Sequence, residues 1–396
     1  MAIALNGSFS FATPLANAAS FNVTVKSQPN VLTKTCKVSN GTGNVAGATV
    51  ANIVVVCAAP PARFAYVVNQ ANDNIKAYAV DAVSGALSAL PGANATTGSA
   101  PVFISVHPSG RFAYVTNSQT NNISSYSIDS ATGVLSAIGG VVGAGIEPAS
   151  ITVDPTGRFA YVANRSSNDV WAYNIDPTSG SLSAMPGVPV SAGNGAFAVT
   201  TDPRGSYLYV TNSGVNNISV FAIDATTGAL TSIGGANPAT GFQPFSISLH
   251  PTGQFAYVTN QNSNSVSAYN VDEATGALIE MVGSPVGAGS LALSVSVDPS
   301  GRFAYVANGG DNTVSCYSIN AVTGELNALV TSPISSGGTQ PIFIAVDPAG
   351  KFVYVANRGN SSVASYSINA ATGALTDVRV LSGTPGESPR SIAFAR

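Results

Sequence analysis

The chain has 396 residues, of which 45% are hydrophobic and only 8% charged, against ~25% charged in an ordinary soluble domain. Its net charge is −3 with no basic cluster, so it lacks the concentrated Lys and Arg that neutralise nucleic-acid phosphates. No apolar run approaches the ~20 residues of a membrane-spanning helix. Polarity comes instead from Asn, Ser, Thr and Gly, a turn-rich, β-prone composition. It suits an extracellular or bacterial cell-surface protein better than a crowded cytoplasm, where charge aids solubility.

The stretch Met1–Gly7 has no basic region ahead of an apolar segment, so it does not read as a signal peptide. Residues 1–57 form a small β-module, with strands expected at 8–11, 21–25, 35–38 and 50–56 and a turn at Asn40-Gly41. Cys36 and Cys57 lie in separate strands, 20 residues apart. In an oxidising compartment they are expected to pair, contributing roughly 3 kcal/mol; the alternative is two reduced, buried cysteines. Residues 58–62, with Pro60-Pro61, are a short stiff linker.

From residue 63 to 396 one pattern, Tyr-Val-x-Asn, recurs seven times, at Tyr66, Tyr114, Tyr161, Tyr209, Tyr257, Tyr305 and Tyr354. The spacings are 48, 47, 48, 48, 48 and 49 residues, the length of one four-stranded propeller blade. Within a repeat, β-branched and aromatic residues fill the strands while Gly, Pro, Asp and Asn fill the turns. The fold class is therefore all-β: a seven-bladed propeller with a small N-terminal module. The first copy begins at Arg63 with no inner strand before it, and Pro389–Phe394 matches the missing segment. The C-terminus is expected to complete the blade begun by residues 63–90 and close the ring.

The loops sort by face. Those leading into the inner strands and those joining second to third strands share one face and vary, as in 139–147 and 234–243. The opposite face carries short Asp-Pro-x-Gly and Asp-x-x-x-Gly turns. A ligand site belongs on the variable face, at the mouth of the central channel.

The copies of the Gly110–Asn117 type, Gly-Arg-Phe-Ala-Tyr-Val-Thr-Asn, resemble the YVTN-repeat propellers of the seven-bladed, lactonase-like superfamily, which includes 6-phosphogluconolactonase-like proteins. Asn6–Phe11, Gln28-Pro29, Cys36–Gly41 and Cys57 resemble part of a small bacterial surface module. The superfamily resemblance implies His, Glu and Arg around the channel mouth. Here the two histidines, His107 and His250, fill the slot held elsewhere by Asp154, Asp202, Asp298 and Asp347, which marks them as turn residues; no catalytic residue is transferred.

At the mouth, Glu147, Gln243 and Gln340 precede the inner strand at equivalent positions. With Glu387 and Arg390 they form a polar ring able to bind a small polar ligand or polarise an ester carbonyl; the plainer alternative is a hydrated, capped channel mouth. Trp171, the sole tryptophan, occupies a mostly polar slot, either as a sugar or protein contact or as a local hydrophobic plug. Cys316 reads as a small buried side chain. No cofactor or metal is indicated: Asp73, Asp169 and Asp311 recur in loops without a dense calcium loop, and no glycine-rich stretch opens a phosphate-binding helix. Low charge and the absence of catalytic clustering favour a surface or matrix scaffold that binds proteins or copies of itself through residues 1–57. The alternatives are a receptor for a small polar ligand or sugar, or a lactonase-like hydrolase or isomerase at the channel mouth.

Overall fold

The computed structural model describes residues 15–24, 35–47, 50, 53–58, 62–234, 237–383 and 385–396. The chain divides into two compact units, Met1–Pro60 and Pro61–Arg396. In the first, two small antiparallel sheets are described. Ser20–Asn22 pairs with Thr42–Asn44, and Thr35–Ser39 pairs with Val54–Ala58. Asn40, at φ 55°, turns the chain from one sheet into the other. Cys36 stands directly opposite Cys57 in register. The strand expected at 8–11, the segment Asn6–Phe11 and the residues Gln28-Pro29 lie outside the described residues.

The second unit consists of seven antiparallel sheets, each with a path of four strands from the inside out, in chain order in all but blade 1; five of the sheets add a short fifth strand. In blade 3 these are Pro148–Val153, Phe159–Asn164, Asp169–Ile175 and Leu182–Ala184. In blade 1 the inner strand is Pro389–Ala395, paired with Phe64–Asn69. The C-terminal segment thus closes the ring, and no sheet edge is left facing the channel by a missing strand. Seven apolar clusters lie between neighbouring blades. One of them joins Val67, Tyr78 and Ile392 of blade 1 to Phe352 and Tyr354 of blade 7 across the closure.

The repeat's consensus residues are the inter-blade joints. Each tyrosine of Tyr-Val-x-Asn is fully buried and donates its hydroxyl to a glycine carbonyl in the outer turn of the next blade. Tyr66 reaches Gly133, Tyr114 reaches Gly180, and so on round the ring until Tyr354 reaches Gly85 of blade 1, all at 2.7–3.0 Å. Burial pushes these phenols far above their usual range, so they remain neutral donors. The glycines are required by both conformation and space. Gly133 sits at φ +74°, and a Cβ there would fall 2.5 Å from Cδ1 of Phe64.

A second joint lies on the opposite face. The residue preceding each inner strand has a positive φ: Ala100, Glu147, Gly195, Gln243, Leu291, Gln340 and Ser388. At six of the seven junctions its backbone N–H donates to an Asn or Asp side chain in the loop between the previous blade's second and third strands. Asp73 receives Ala100 at 2.7 Å, Asn121 receives Glu147 at 2.9 Å and Asn312 receives Gln340 at 2.7 Å; Asn168, Asn216 and Asn264 repeat the arrangement. Those loops therefore touch the loops that open the channel, on one face. At the seventh junction the loop slot holds Ser361, and Arg358 Nε donates to Ser388 Oγ at 3.2 Å instead.

Candidate functional site

The seven inner strands line a narrow cavity on the axis, about 40 Å³ in volume and partly open to solvent. The second residue of each strand contributes to its wall: Val102, Ala149, Phe197, Phe245, Leu293 and Ile342 in blades 2 to 7, and Arg390 in blade 1. Six positions are apolar and one is a guanidinium. Phe197 and Phe245 touch, with ring centroids 4.1 Å apart. Phe103 and Phe343, from the strands on either side of the one bearing Arg390, meet edge-on at 5.6 Å; the strand between them offers only Ser391 at the matching position. The serines of this layer are already used. Ser391 Oγ accepts from Ile104 N at 3.1 Å, and Ser294 Oγ from Ile344 N at 3.2 Å, tying neighbouring inner strands together.

The Arg390 side chain makes no hydrogen bond or ion pair with any other described residue. Burial pushes its pKa down to about 10, and Arg358 and Arg165 press in the same direction. Arg165 follows the consensus Asn164 of blade 3 and lies over the Phe197 ring, 6.0 Å from its centroid. Arg358 occupies the same slot in blade 7, after Asn357. The arginines of the Gly-Arg-Phe turns behave differently. Arg63 donates to Ser130 O at 2.8 Å and Arg111 to Thr178 O at 3.2 Å, each in the next blade, and each lies over its neighbouring phenylalanine ring. The turn arginines are satisfied by carbonyls; Arg165 and Arg390 at the mouth have no side-chain hydrogen bond, and Arg358 only the one to Ser388.

The sequence-derived candidates distribute as follows. Glu147 is half-buried in the loop before the blade 3 inner strand, and its Oε2 accepts from Ser166 Oγ. Its carbonyl receives Arg165 N at 2.9 Å, so Glu147 and Arg165 are held side by side. Gln243 and Gln340 are exposed at the corresponding places in blades 5 and 7. Glu387 is turned away from this group: it is buried and ion-paired with Lys76 on the third strand of blade 1. Trp171 packs partly buried against the cluster between blades 2 and 3, near Tyr173, with its Nε1 buried and without a partner. Cys316 is fully buried, and burial pushes its thiol up to about 12, so no thiolate forms at neutral pH. Sequence reasoning missed Arg165 and Arg358. The signal was their shared slot after Tyr-Val-x-Asn, where the other repeats carry Gln70, Ser118, Ser213, Gln261 and Gly309.

The two histidines take inter-blade structural roles. His107 Nε2 lies 2.8 Å from Gly157 O and His250 Nε2 2.9 Å from Gly301 O, so each Nε2 carries the proton. Their Nδ1 atoms accept from Ser109 N at 3.0 Å and Thr252 N at 3.2 Å. Burial lowers both pKa values. Where Asp fills the slot, as at Asp154, it accepts instead from backbone N–H groups of its own turn, Arg158 and Phe159, at 2.8 Å. Among the described residues no three of His, Cys, Asp and Glu gather as a metal-holding group, and no helix is long and apolar enough to cross a membrane.

The sequence matches the model of the family "Lactonase, 7-bladed beta-propeller" over residues 33–187, 181–295 and 290–394. No curated protein matches the chain. Among solved structures, the periplasmic gluconolactonase of Pseudomonas aeruginosa superposes with a TM-score of 0.73 at 22% identity, covering 84% of this chain and 99% of its own. A Bacteroides uniformis protein, provisionally named a 6-phosphogluconolactonase, gives 0.73 at 19% identity over 85% of this chain and 100% of its own. A Lactobacillus plantarum protein gives 0.74 at 20% identity, over 85% and 100%. At these identities the superpositions establish the fold. The family match corrects one expectation from composition: the scaffold reading gives way, because the family is one of lactonases. Low charge reflects a propeller whose polar joints are made by Asn, Ser and Tyr rather than by ions, and it says nothing against chemistry at the axis.

Proposed function

Because the chain belongs to the lactonase family of seven-bladed β-propellers, we propose that it is a lactonase-like hydrolase working at the mouth of its central channel. The observation that carries this reading is Arg390, a desolvated guanidinium in an apolar wall with no anion beside it. A fixed cation in a low-dielectric site is suited to stabilise negative charge developing on a carbonyl oxygen. Glu147 is the carboxylate at the same mouth, and its role is general base. Water attacks the lactone carbonyl carbon and loses a proton to Glu147. The oxyanion is held by Arg390. The ring C–O bond then breaks, and the alkoxide takes the proton back from Glu147, leaving a hydroxy acid.

Two features extend the reading. The Pseudomonas neighbour is described as a periplasmic gluconolactonase, which supports ester-ring substrates and an exported location. The direct register of Cys36 and Cys57 supports a disulfide formed in such a compartment.

The test is hydrolysis of a panel of γ- and δ-lactones followed by acid release. Wild type should exceed the spontaneous rate. Arg390→Met and Glu147→Gln should each lose about 10²-fold in kcat/KM. Arg390→Met should also hold or raise the melting temperature, because an unpaired desolvated charge is replaced by an apolar side chain. A wild-type rate equal to background across the panel would overturn the proposal.

A further inference from the structure

Two of the three arginines at this mouth lie across the ring from its touching phenylalanines, and the third, Arg165, lies over one of them. Arg358 and Arg390 come from the adjacent blades 7 and 1, and Arg165 comes from blade 3. Across the ring from Arg358 and Arg390, blades 4 and 5 supply the touching rings of Phe197 and Phe245. Phe242, two residues before the blade 5 inner strand, is 66% exposed on the same face. The ion pairs among the described residues are Lys76–Glu387 and Arg204–Glu273, so none of the three arginines is neutralised by a carboxylate. A chain of net charge −3 therefore brings the guanidiniums of Arg358 and Arg165 within electrostatic reach of Arg390. Like charges that act on one another in a partly desolvated site are costly unless an anion joins them. Guanidiniums match the planar or tetrahedral oxygens of carboxylate and phosphate.

The body of the ligand is constrained by the opposite sector. A polyol or sugar ring needs a hydrogen-bond partner for each hydroxyl it buries, and an unpartnered one costs several kcal/mol in an apolar site. Six of the seven wall positions are apolar side chains, and the serines behind them already accept backbone N–H groups. This wall rewards an apolar or aromatic surface.

We infer that the ligand of this site is an amphipathic oxyanion: a carboxylate or phosphate held by Arg390, Arg358 and Arg165, attached to an apolar, ring-bearing body that lies on Phe197 and Phe245. The inference rests on the channel-mouth reading above and narrows it, because it separates this chain from enzymes acting on hydrophilic sugar lactones.

The test is calorimetric binding to the full chain of five probes: 3-phenylpropionate, phenyl phosphate, 3-phenylpropanol, gluconate and 6-phosphogluconate. One of the two aryl anions should bind about tenfold or more tighter than the neutral alcohol and than either sugar acid, and the tighter of them identifies the oxyanion. Affinity should fall with added salt and fall about tenfold in Arg390→Met and in Phe197→Ala. Phe197→Leu, which keeps the wall filled, should weaken the aryl anions and leave the melting temperature near wild type. Gluconate or 6-phosphogluconate binding tightest, with no response to Phe197→Leu, would overturn the inference and leave the hydrolase intact. Aryl-anion binding without turnover of any lactone, aryl lactones bearing a carboxylate included, would overturn the hydrolase and leave the ligand class standing. No binding by any probe would overturn the inference, and turnover of the lactone panel then decides the hydrolase.

Discussion

The tyrosine layer and the channel mouth are built by the same seven repeats, and they differ in what repetition is asked to do. At the tyrosine layer every blade does the same thing: a buried hydroxyl reaches the next blade's turn glycine, seven times round a closed circle. At the mouth the backbone still repeats, with a positive φ before every inner strand, but the side chains diverge: alanine, glutamate, glycine, glutamine, leucine, glutamine and serine. One position down, six apolar residues face one arginine. Identity between copies marks the parts that hold the ring; divergence at a fixed backbone position marks the parts that meet a ligand.

Three perturbations test this contrast. The largest effect is expected from deleting residues 388–396, which removes the strand Pro389–Ala395 and opens the closure cluster with blade 7. The melting temperature should fall by about 10 °C or more, or the chain should become insoluble; an unchanged thermal transition would show that the ring does not depend on its latch. Next is a pair of glycine substitutions, one on each side of the contrast. Gly133→Ala drives a Cβ into Phe64 from a left-handed backbone and should cost about 2–4 kcal/mol. Gly139→Ala, also at positive φ but with nothing within 4 Å, should cost about 1 kcal/mol. Equal losses in denaturant titrations would remove the distinction between joint and loop.

The smallest effect concerns the histidines. Burial lowers their pKa values, so the unfolded chain takes up protons first. Stability is present above the ordinary histidine pKa of about 6.5 and is lost as pH falls below it. His107→Asp with His250→Asp installs the turn residue used by other blades and should shrink the fall in melting temperature between about pH 7 and pH 5. An identical fall in the double variant would place the acid sensitivity elsewhere.

The ring was legible because its determinants are local and repeated seven times. Tyr-Val-x-Asn at a near-constant spacing predicts blade, strand and turn together, and the unmatched first copy points to the C-terminal strand. The site was less legible because it is made by residues that agree with no repeat. Glu147 and Arg390 stood out as charges beside the inner strand. Glu387 stood out for the same reason, yet its position one residue earlier than Glu147 hands it to Lys76. Arg165 and Arg358 lie four blades apart along the chain, and Arg358 neighbours the blade that bears Arg390 only because closure sets blade 7 beside blade 1. Proximity round a ring is a property of closure, and no linear window contains it.

The latch strand has a second consequence. It carries Arg390 as well as the pairing that closes the ring, so the open and closed circles differ in affinity for anything that binds that guanidinium. A bound oxyanion therefore acts as a bolt. Its binding free energy is added to closure by mass action, and at saturating concentration the propeller should resist unzipping from blade 1 more strongly than the empty ring does.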